Sequence, residues 1–421
     1  MNRGGYVCST STEPEPTIEA VFQPKEVMGL KRLLAEVGGE AAAQWIAGRM
    51  VAPEAVVGVI IFLLSRGVGS RGGGANTLRE FKLVLPGQVD PRYVVDILWA
   101  ILDKIIPGGG DPPENPFPCL STISVKATRS YPYKRNAFSP SLGALIKPFL
   151  RLSGLTNLEL SALTREPFTR LDSAGLPATN ITILTLRTPP HLSMTLLQLL
   201  KHTPKLTELG LTFLSDLSMG ECRVVSYADL GGALQLAKRT LTSLNIYFFE
   251  YGPVDPGMWD FGVDKGFVGD PRALQLGKLA NLAKLTICLS VLLGPDGGGS
   301  AGEITLPSTL PPSLTELWVT EDCSCDWEWE DGGFVRVLCE LIREQGSGVV
   351  GGGGCLRKIG VVRDLHMLNS LETMYPWPEK EERGVLERVG GECGVEMAWD
   401  IGRTFWREGQ EEGMGFRPPA R

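Results

Sequence analysis

The chain has 421 residues, 43% of them hydrophobic, which is enough for two or three average domains or for one elongated array of small units. Its 41 Lys and Arg residues are outnumbered by 48 Asp and Glu residues, and the net charge of −7 argues against nucleic acid or an anionic membrane as a partner. Nine scattered Cys and only three His disfavour a secreted disulfide scaffold and a His-rich metal centre, so we expect a protein of the reducing cytoplasm or nucleus.

The first 70 residues divide into a tail and a helical region. Residues 1–16 lack the charged start and apolar centre of a secretory signal, and we expect them to be disordered. Helical patterns follow at 25–37, 40–50 and 53–66, so residues 17–70 are expected to be helical. The longest apolar run, Ala55–Leu64, is about half the roughly 20 residues that a membrane-spanning helix requires, and it predicts a buried helix.

One hexameric pattern recurs along the rest of the chain. It has apolar residues at positions one, four and six, as in LTNLEL from Leu155, and it occurs nine times at spacings of 25 to 42 residues. Positions four and six alternate with the period of a strand, so each hexamer predicts a short strand that buries them and exposes positions three, five and seven. The hexamers begin at Leu78, Leu120, Leu155, Ile181, Leu206, Leu241, Leu282, Leu314 and Leu356.

Segments of helical periodicity lie between the hexamers. Apolar residues recur at spacings of three and four in Arg92–Ile106, Ser193–His202, Tyr227–Lys238 and Phe334–Gln345, and each segment precedes a hexamer. A unit therefore consists of a helix, a turn, a short strand and a loop. Because one unit cannot cover its own apolar face, the units are expected to stack.

The hexamers resemble the LxxLxL strands of leucine-rich-repeat proteins, and their irregular spacing is most similar to the degenerate repeats of fungal F-box-type proteins. The resemblance covers about residues 78–400 and implies an α/β fold, an irregular leucine-rich-repeat solenoid or horseshoe of about nine helix–loop–strand units over 71–404. Residues 405–421 are expected to be a disordered tail. The family's usual Asn three residues past the last Leu is missing from all nine units, so the turns must be satisfied one by one.

The two ends of this array have separate expectations. Lys380–Glu392 predicts a polar helix and Val395–Trp399 a strand, which together fit a closing cap. At the other end, the resemblance implies a module that binds the adaptor of a cullin-type ubiquitin ligase. Ala52-Pro53-Glu54 weakly resembles the lead of such a module, but Gly67–Gly74 interrupts it before a second helix. We expect residues 17–70 to be a helical cap or a diverged adaptor-binding region, without a recognisable F-box.

Two loops and the exposed strand positions supply the candidate binding residues. Loop 247–271 places aromatic residues among Pro, Gly and Asp, and loop 321–332 has six carboxylates, two Trp and no cation. Both loops leave the same end of their strands, so they predict one rim that binds a basic or aromatic protein segment; alternatively, the Trp side chains fold back over the core. The candidate partner-binding residues are Tyr247, Trp259, Trp318, Asp322, Trp327, Trp329, Glu159, Arg187, Lys284 and Glu316.

Residue groups that would support chemistry have weak signatures. Four Cys would offer thiolates to a zinc ion, but one pair has a single intervening residue and no His is near. None of the three His has a local pattern that joins it to a Cys or Ser nucleophile. We therefore expect no metal, cofactor or enzymatic activity. The Cys are Cys323, Cys325, Cys339 and Cys355, and the His are His191, His202 and His366.

The sequence as a whole predicts a non-catalytic, protein-binding leucine-rich-repeat receptor. By resemblance, it would be the substrate-recognition subunit of a cullin-type ubiquitin ligase, monomeric and without nucleic acid or membrane partners. A free-standing repeat scaffold without a ligase is the alternative, and a Cys or Ser hydrolase is a less favoured one.

Overall fold

The computed structural model describes residues 79–85, 119–127, 150–161, 178–188, 193–216, 225–251, 267–288, 291–292, 310–320, 333–346, 355–363 and 380–401. The chain divides into two compact units, one of Met1–Thr77 and Gln88–Pro118 and the other of Leu78–Gly87 and Cys119–Arg421. Every described residue belongs to the second unit. The predictions for the N-terminal tail and helices, for Arg92–Ile106 and for the C-terminal tail lie outside the described residues.

Ten strands form one sheet in which neighbouring strands run parallel, in the order β1-β2-β3-β4-β5-β7-β9-β10-β11-β12. Two short strands, β6 and β8, pair separately. The strands are β1 (Glu80–Leu85), β2 (Thr122–Ala127), β3 (Asn157–Ser161), β4 (Ile183–Thr188), β5 (Glu208–Asp216), β6 (Val225–Ser226), β7 (Ser243–Tyr251), β8 (Phe267–Val268), β9 (Lys284–Cys288), β10 (Glu316–Thr320), β11 (Lys358–Arg363) and β12 (Glu396–Ile401).

All nine strand predictions are confirmed, and the strand expected to close the array is β12. The register keeps equivalent positions of the hexamers side by side. Position three of one hexamer aligns with position three of the next, as in Asn157 opposite Ile183 and Ser243 opposite Lys284. Each large strand therefore pairs with its predecessor and its successor among the hexamers, which requires a crossover connection after every strand.

Four α-helices are described from end to end: α1 (Ser193–Lys201), α2 (Tyr227–Leu234), α3 (Gly333–Gln345) and α4 (Lys380–Cys393). Each of the four confirms a helix expected from the sequence, although the expected helix at 227–238 changes to a 3₁₀ turn at Gln235–Ala237. The described residues 291–292 are also helical. The described part of the connection from β7 to β9 contains two 3₁₀ turns, Pro271–Leu274 and Leu276–Lys278. In the described part of the chain, no helix is both long and apolar enough to span a bilayer.

The core consists of the apolar hexamer positions together with the helices. In the third hexamer Leu155, Leu158 and Leu160 are all fully buried, and the equivalent residues of the later hexamers are also buried. Leu199 of α1 and Ile342 of α3 are fully buried as well. The predicted burial of positions four and six is thus confirmed from the third hexamer onward, whereas Phe81, at position four of the first hexamer, is only half-buried. The described residues have a mixed α/β fold built on a parallel sheet.

A ladder of hydroxyl groups connects the starts of successive strands. The residue at position two of six hexamers is Ser or Thr, and its Oγ donates to the carbonyl of the position-two residue one strand earlier, at 3.0–3.3 Å. That carbonyl also accepts two backbone N–H groups from the same neighbour. The ladder residues are Ser121, Thr156, Thr182, Thr207, Thr242 and Thr315, and Ala283 leaves one gap. The ladder lies at the starts of the strands, whereas the missing Asn belongs three residues past the last Leu, beyond the hexamer. How the turns at that end are satisfied therefore stays a prediction.

Candidate protein-binding face of the sheet

One face of the sheet carries the side chains at positions three and five of the hexamers, and we call it the polar face. Because the strands are in register, these side chains form two rows across the strands. The first row is Glu80, Thr122, Asn157, Ile183, Glu208, Ser243, Lys284, Glu316, Lys358 and Glu396. The second row is Lys82, Ser124, Glu159, Thr185, Gly210, Asn245, Thr286, Trp318, Gly360 and Ala398.

Four charged residues of alternating sign occupy the first row on β9 to β12. Lys284 Nζ lies 3.4 Å from Glu316 Oε2, and Lys358 Nζ lies 3.6 Å from Glu396 Oε1. The two outer side chains are largely exposed, Lys284 at 65% and Glu396 at 69%, whereas Glu316 and Lys358 between them are exposed at 23% and 32%. The outer charges are therefore the ones that water or another molecule reaches.

Trp318 lies beside this charged row and is held on three sides. Its indole Nε1 donates to Glu316 Oε1 at 2.7 Å, and Lys358 Nζ lies 5.4 Å from its ring centroid. A Cβ placed on Gly360 would overlap the indole, so the ring rests directly on the neighbouring strand. The absent side chain of Gly360 thus creates the space in which Trp318 lies flat, half-buried.

These neighbours also stabilise the charged form of Glu316. The hydrogen bond from Trp318 is the main reason that the pKa of Glu316 lies below its usual range, and the cations of Lys284 and Lys358 lower the pKa further. Partial burial of the carboxyl acts in the opposite direction and is outweighed. Glu316 is therefore an ionised acceptor that orients the indole at neutral pH.

Tyr247 lies farther along the polar face, in a cluster with Thr286 and Cys288. Burial raises the pKa of Tyr247 far above its usual range, the neighbouring Cys288 raises it further, and a hydrogen bond with Thr286 opposes the change. Thr320 Oγ1 donates to Cys288 Sγ at 3.2 Å. Tyr247 and Trp318 were expected to be exposed anchors, but both are half-buried, because neighbouring side chains of the same face cover them.

Part of the polar face is less exposed than the strand pattern predicts. Ser124, Thr212 and Thr286 were expected to face solvent, but all three are buried. Ser124 Oγ donates to Glu159 Oε2 at 2.8 Å, which shows how a longer neighbour covers a short hydroxyl residue. The expectation was wrong at these positions because strand alternation gives the face of a side chain and not its coverage by neighbours.

The candidate binding residues separate into three groups in the structure. Tyr247, Lys284, Glu316 and Trp318 lie on the adjacent strands β7, β9 and β10. Glu159 on β3 and Arg187 on β4 form a second group, separated from the first by β5. Glu159 accepts a hydrogen bond from Ser124, and Arg187 is aligned with Thr212 of β5. The remaining four, Trp259, Asp322, Trp327 and Trp329, lie outside the described residues.

Gly360 and Glu396 complete the charged and aromatic cluster but were missed as candidates. The pairing of Lys358 with Glu396 gives Glu396 position three of a tenth unit. Position one of that unit is Gly394, with a φ of 69°, so no apolar residue marks the start of a hexamer. The available signal was the alternation along this segment, in which the buried Val395 is followed by Glu396 and Ala398 two residues apart on the other face.

Three of the residues considered for zinc or hydrolytic chemistry are described, and each belongs to a different segment of the chain. Cys339 is buried in α3, where burial raises the pKa of its thiol, whereas Cys355 is exposed. His202 follows α1, and its main-chain carbonyl accepts two hydrogen bonds from Thr179. Among the residues that the structure describes, no three His, Cys, Asp or Glu side chains are grouped to hold a metal ion. The other two His, with Cys323 and Cys325, lie outside that part of the chain.

Comparisons with known proteins give no relative from which a role could be carried over. No protein-family model matches the chain, and a search of curated proteins gives no significant match.

Proposed function

We propose that this chain is a non-catalytic receptor of the leucine-rich-repeat type, whose polar face binds a segment of another protein. The observation that carries the proposal is Trp318, an aromatic side chain held in place by Glu316 and Gly360 inside a row of charges. Aromatic residues that are fixed before binding lose little conformational entropy when a partner packs on them, and they often dominate interfaces. Charged neighbours such as Lys284 then supply orientation and selectivity.

The repeat assignment is supported by the regularity of the sheet. Nine LxxLxL hexamers give nine strands in register, each beside its predecessor. The hydroxyl ladder repeats from strand to strand, as between Thr182 and Thr207. Such an array of equivalent units is what a solenoid requires, and we extend it to a horseshoe of about nine units.

We further propose, from the resemblance to fungal F-box-type proteins, that the receptor selects substrates for a cullin-type ubiquitin ligase. In that case residues 17–70 contact the ligase adaptor, while the polar face holds the substrate. A free-standing scaffold that binds the same segment without a ligase is the second candidate. The two differ in one property, the presence of adaptor and cullin in the complex.

Affinity purification of the full chain, followed by mass spectrometry, tests these proposals. Trp318→Ala is the test variant, and Trp399→Ala is the matched control, because Trp399 donates to Glu387 of α4 on the opposite face of the sheet. We expect Trp318→Ala to lose at least one captured protein that Trp399→Ala retains. Unchanged capture by a folded Trp318→Ala variant would refute the polar face as the binding surface.

The same experiment decides between the two candidate functions. Adaptor and cullin recovered with the wild-type chain support the ligase receptor. A partner that depends on Trp318 but comes without adaptor or cullin supports the scaffold instead. Circular dichroism of both variants confirms that the comparison is between folded proteins.

A further inference from the structure

The four charged residues of the first row on β9 to β12 form a self-complementary pattern of signs. From β9 to β12 the residues are Lys284, Glu316, Lys358 and Glu396, so the signs alternate from positive to negative. In the reverse direction every sign is exchanged. A surface with this property matches a second copy of itself turned about a two-fold axis.

We infer that the polar face of β9 to β12 is an interface with a second copy of this chain. The axis runs parallel to the strands, between β10 and β11, and brings the two polar faces together. Lys284 then meets Glu396 of the second copy, and Glu316 meets Lys358 of the second copy. Each contact occurs twice, so the dimer has four intermolecular charge pairs and no like-charge contact within this row.

The second row is compatible with the same axis. It places Trp318 opposite Gly360 of the second copy and Thr286 opposite Ala398, so the largest side chain faces the smallest. The indole already rests on Gly360 of its own chain and therefore lies between β10 and β11, where the axis passes. The two indoles consequently lie next to each other, where offset packing of aromatic rings is favourable.

The exposure of the four charges indicates which contacts provide the attraction. Glu316 is already engaged by Trp318 and Lys284 within its own chain. Lys284 and Glu396 are the most exposed members of the row, and they lie at its two ends. The outer pair therefore provides most of the new intermolecular attraction, while the inner pair sets the register.

The size of the surface predicts a weak dimer. Four strands about 4.8 Å apart, with three outward positions each, cover roughly 300–400 Å² on each copy. Stable complexes bury about 800 Å² on each partner, so we expect a dimer that forms at high protein concentration and dissociates as salt screens the charges. This differs from the monomer expected from the sequence alone.

The inference shares the polar face with the proposed function but does not require it. Self-association covers Trp318, so a protein partner and a second copy compete for the same surface. Self-association is measured on the purified chain alone, and partner capture is measured separately on dilute protein. Either measurement can fail without the other, which keeps the two proposals distinguishable.

Charge reversal with mixing tests the inference by analytical ultracentrifugation of the full chain. Lys284→Glu and Glu396→Lys each create two like-charge contacts in their own dimer, and we expect each variant alone to self-associate at least about tenfold more weakly. A mixture of the two variants places an acidic side chain opposite a basic one at both contacts. We expect the mixture to recover dimers to the wild-type level.

Controls separate this interface from general charge effects. Glu208→Lys makes the same charge change in the same row, but on β5, outside the four strands, and should leave self-association unchanged. Lys284→Gln removes the charge without reversing it and should weaken the dimer less than Lys284→Glu. Circular dichroism verifies that each variant is folded.

Three results would overturn the inference. The wild-type chain sediments as a monomer at every concentration in low salt, or the single reversals leave its dimer intact, or the mixture does not recover dimers. Recovery in the mixture, with no effect of Glu208→Lys, establishes the two-fold contact between Lys284 and Glu396.

Discussion

The position of Trp318 depends on a residue one strand away. Its indole occupies the space above Gly360, and any side chain at that position would overlap the ring. Glu316 and Lys358 then hold the ring from two further directions. The orientation of this aromatic side chain is therefore a property of two neighbouring strands, β10 and β11, and not of β10 alone.

Replacing Gly360 with Ala should destabilise the protein by about 1–3 kcal/mol, because the added methyl group displaces a packed ring. Urea unfolding followed by circular dichroism measures this change. Gly232→Ala is the matched control, since a Cβ there meets no atom within 4 Å and α2 should gain about 0.5–1 kcal/mol. Combining Gly360→Ala with Trp318→Ala should cost less than the sum of the two, and strict additivity would show that the indole does not occupy this space.

Glu316 should make stability dependent on pH in acid. Its pKa is lower in the folded chain than in the unfolded chain, where it is about 4.3, so the stabilisation is fully present above that value. As the pH falls through the folded-state pKa, Glu316 takes up a proton and the stabilisation is lost. Unfolding free energies measured at several pH values should therefore fall less steeply in Glu316→Gln than in the wild type.

Lys284→Gln provides the complementary measurement for Glu316. Removing this cation should raise the pKa of Glu316, although the hydrogen bond from Trp318 remains the larger influence. Titration by nuclear magnetic resonance of the labelled carboxyl group reports this shift directly. An unchanged pKa would mean that Lys284 and Glu316 do not pair in solution.

At the scale of the element, the strand starts are joined by hydroxyl groups as well as by backbone hydrogen bonds. Thr207 illustrates the arrangement, because its Oγ1 and its N–H both donate to the carbonyl of Thr182, at 3.1 Å and 2.8 Å. The recurrence of Thr after the first apolar residue of the hexamer is the sequence signature of this ladder. Because the strand starts are equivalent, the same hydroxyl side chain at position two makes the same hydrogen bond to the preceding strand.

Thr207→Val should lower stability by about 0.5–1.5 kcal/mol, because it keeps the shape of the side chain and removes one hydrogen bond. The cost should be near the lower limit, since the carbonyl of Thr182 retains two backbone donors. Thr207→Ser keeps the hydroxyl and should lose less than Thr207→Val. Equal losses in the two variants, measured by urea unfolding, would refute a contribution from the ladder.

At the scale of the whole molecule, the contacts of the large sheet are between adjacent strands. β12 is the last strand in the order of the sheet, and α4 packs against β12 and α3. In α4 the fully buried Leu386 is adjacent in sequence to Val385, which is 36% exposed. Among the described strands β12 pairs with β11 alone, and a unit with one paired neighbour is expected to open before a central one.

Leu386→Ala should cost about 2–5 kcal/mol locally, because it leaves a cavity beneath α4. Hydrogen exchange measured by mass spectrometry should show lost protection in α4 and β12, with little change in β3 and β4. Val385→Ala serves as the control, since an exposed side chain contributes little. Equal loss of protection throughout the sheet would instead indicate that the described strands unfold as one cooperative unit.

The sequence predicted the elements well because their signals are local. A strand buries alternate residues, and a helix buries residues three or four positions apart. Both periods are therefore visible in the order of apolar residues along the chain. The hexamer from Leu155 therefore predicted both β3 and the buried residues Leu158 and Leu160. The repeat spacing also predicted that the strands would be neighbours, since a single unit cannot bury its own apolar face.

The candidate face was predictable only in part. Lys284, Glu316 and Trp318 were identified because strand alternation places them on one face. The roles of Gly360 and Glu396 depend on register across strands that are 38 or more residues apart in the chain. The burial of Thr286 and the partial burial of Tyr247 likewise depend on the side chains of the adjacent strands.

By itself, the sequence determined the strands, the helices, the apolar core positions and the face on which each strand residue lies, because these follow from periodicity along the chain. Only the tertiary structure decided that Trp318 lies on Gly360, that four charges alternate across β9 to β12, and that hydroxyl groups connect the strand starts. The physical reason is that these features arise between strands, where distance in space has no fixed relation to distance in sequence.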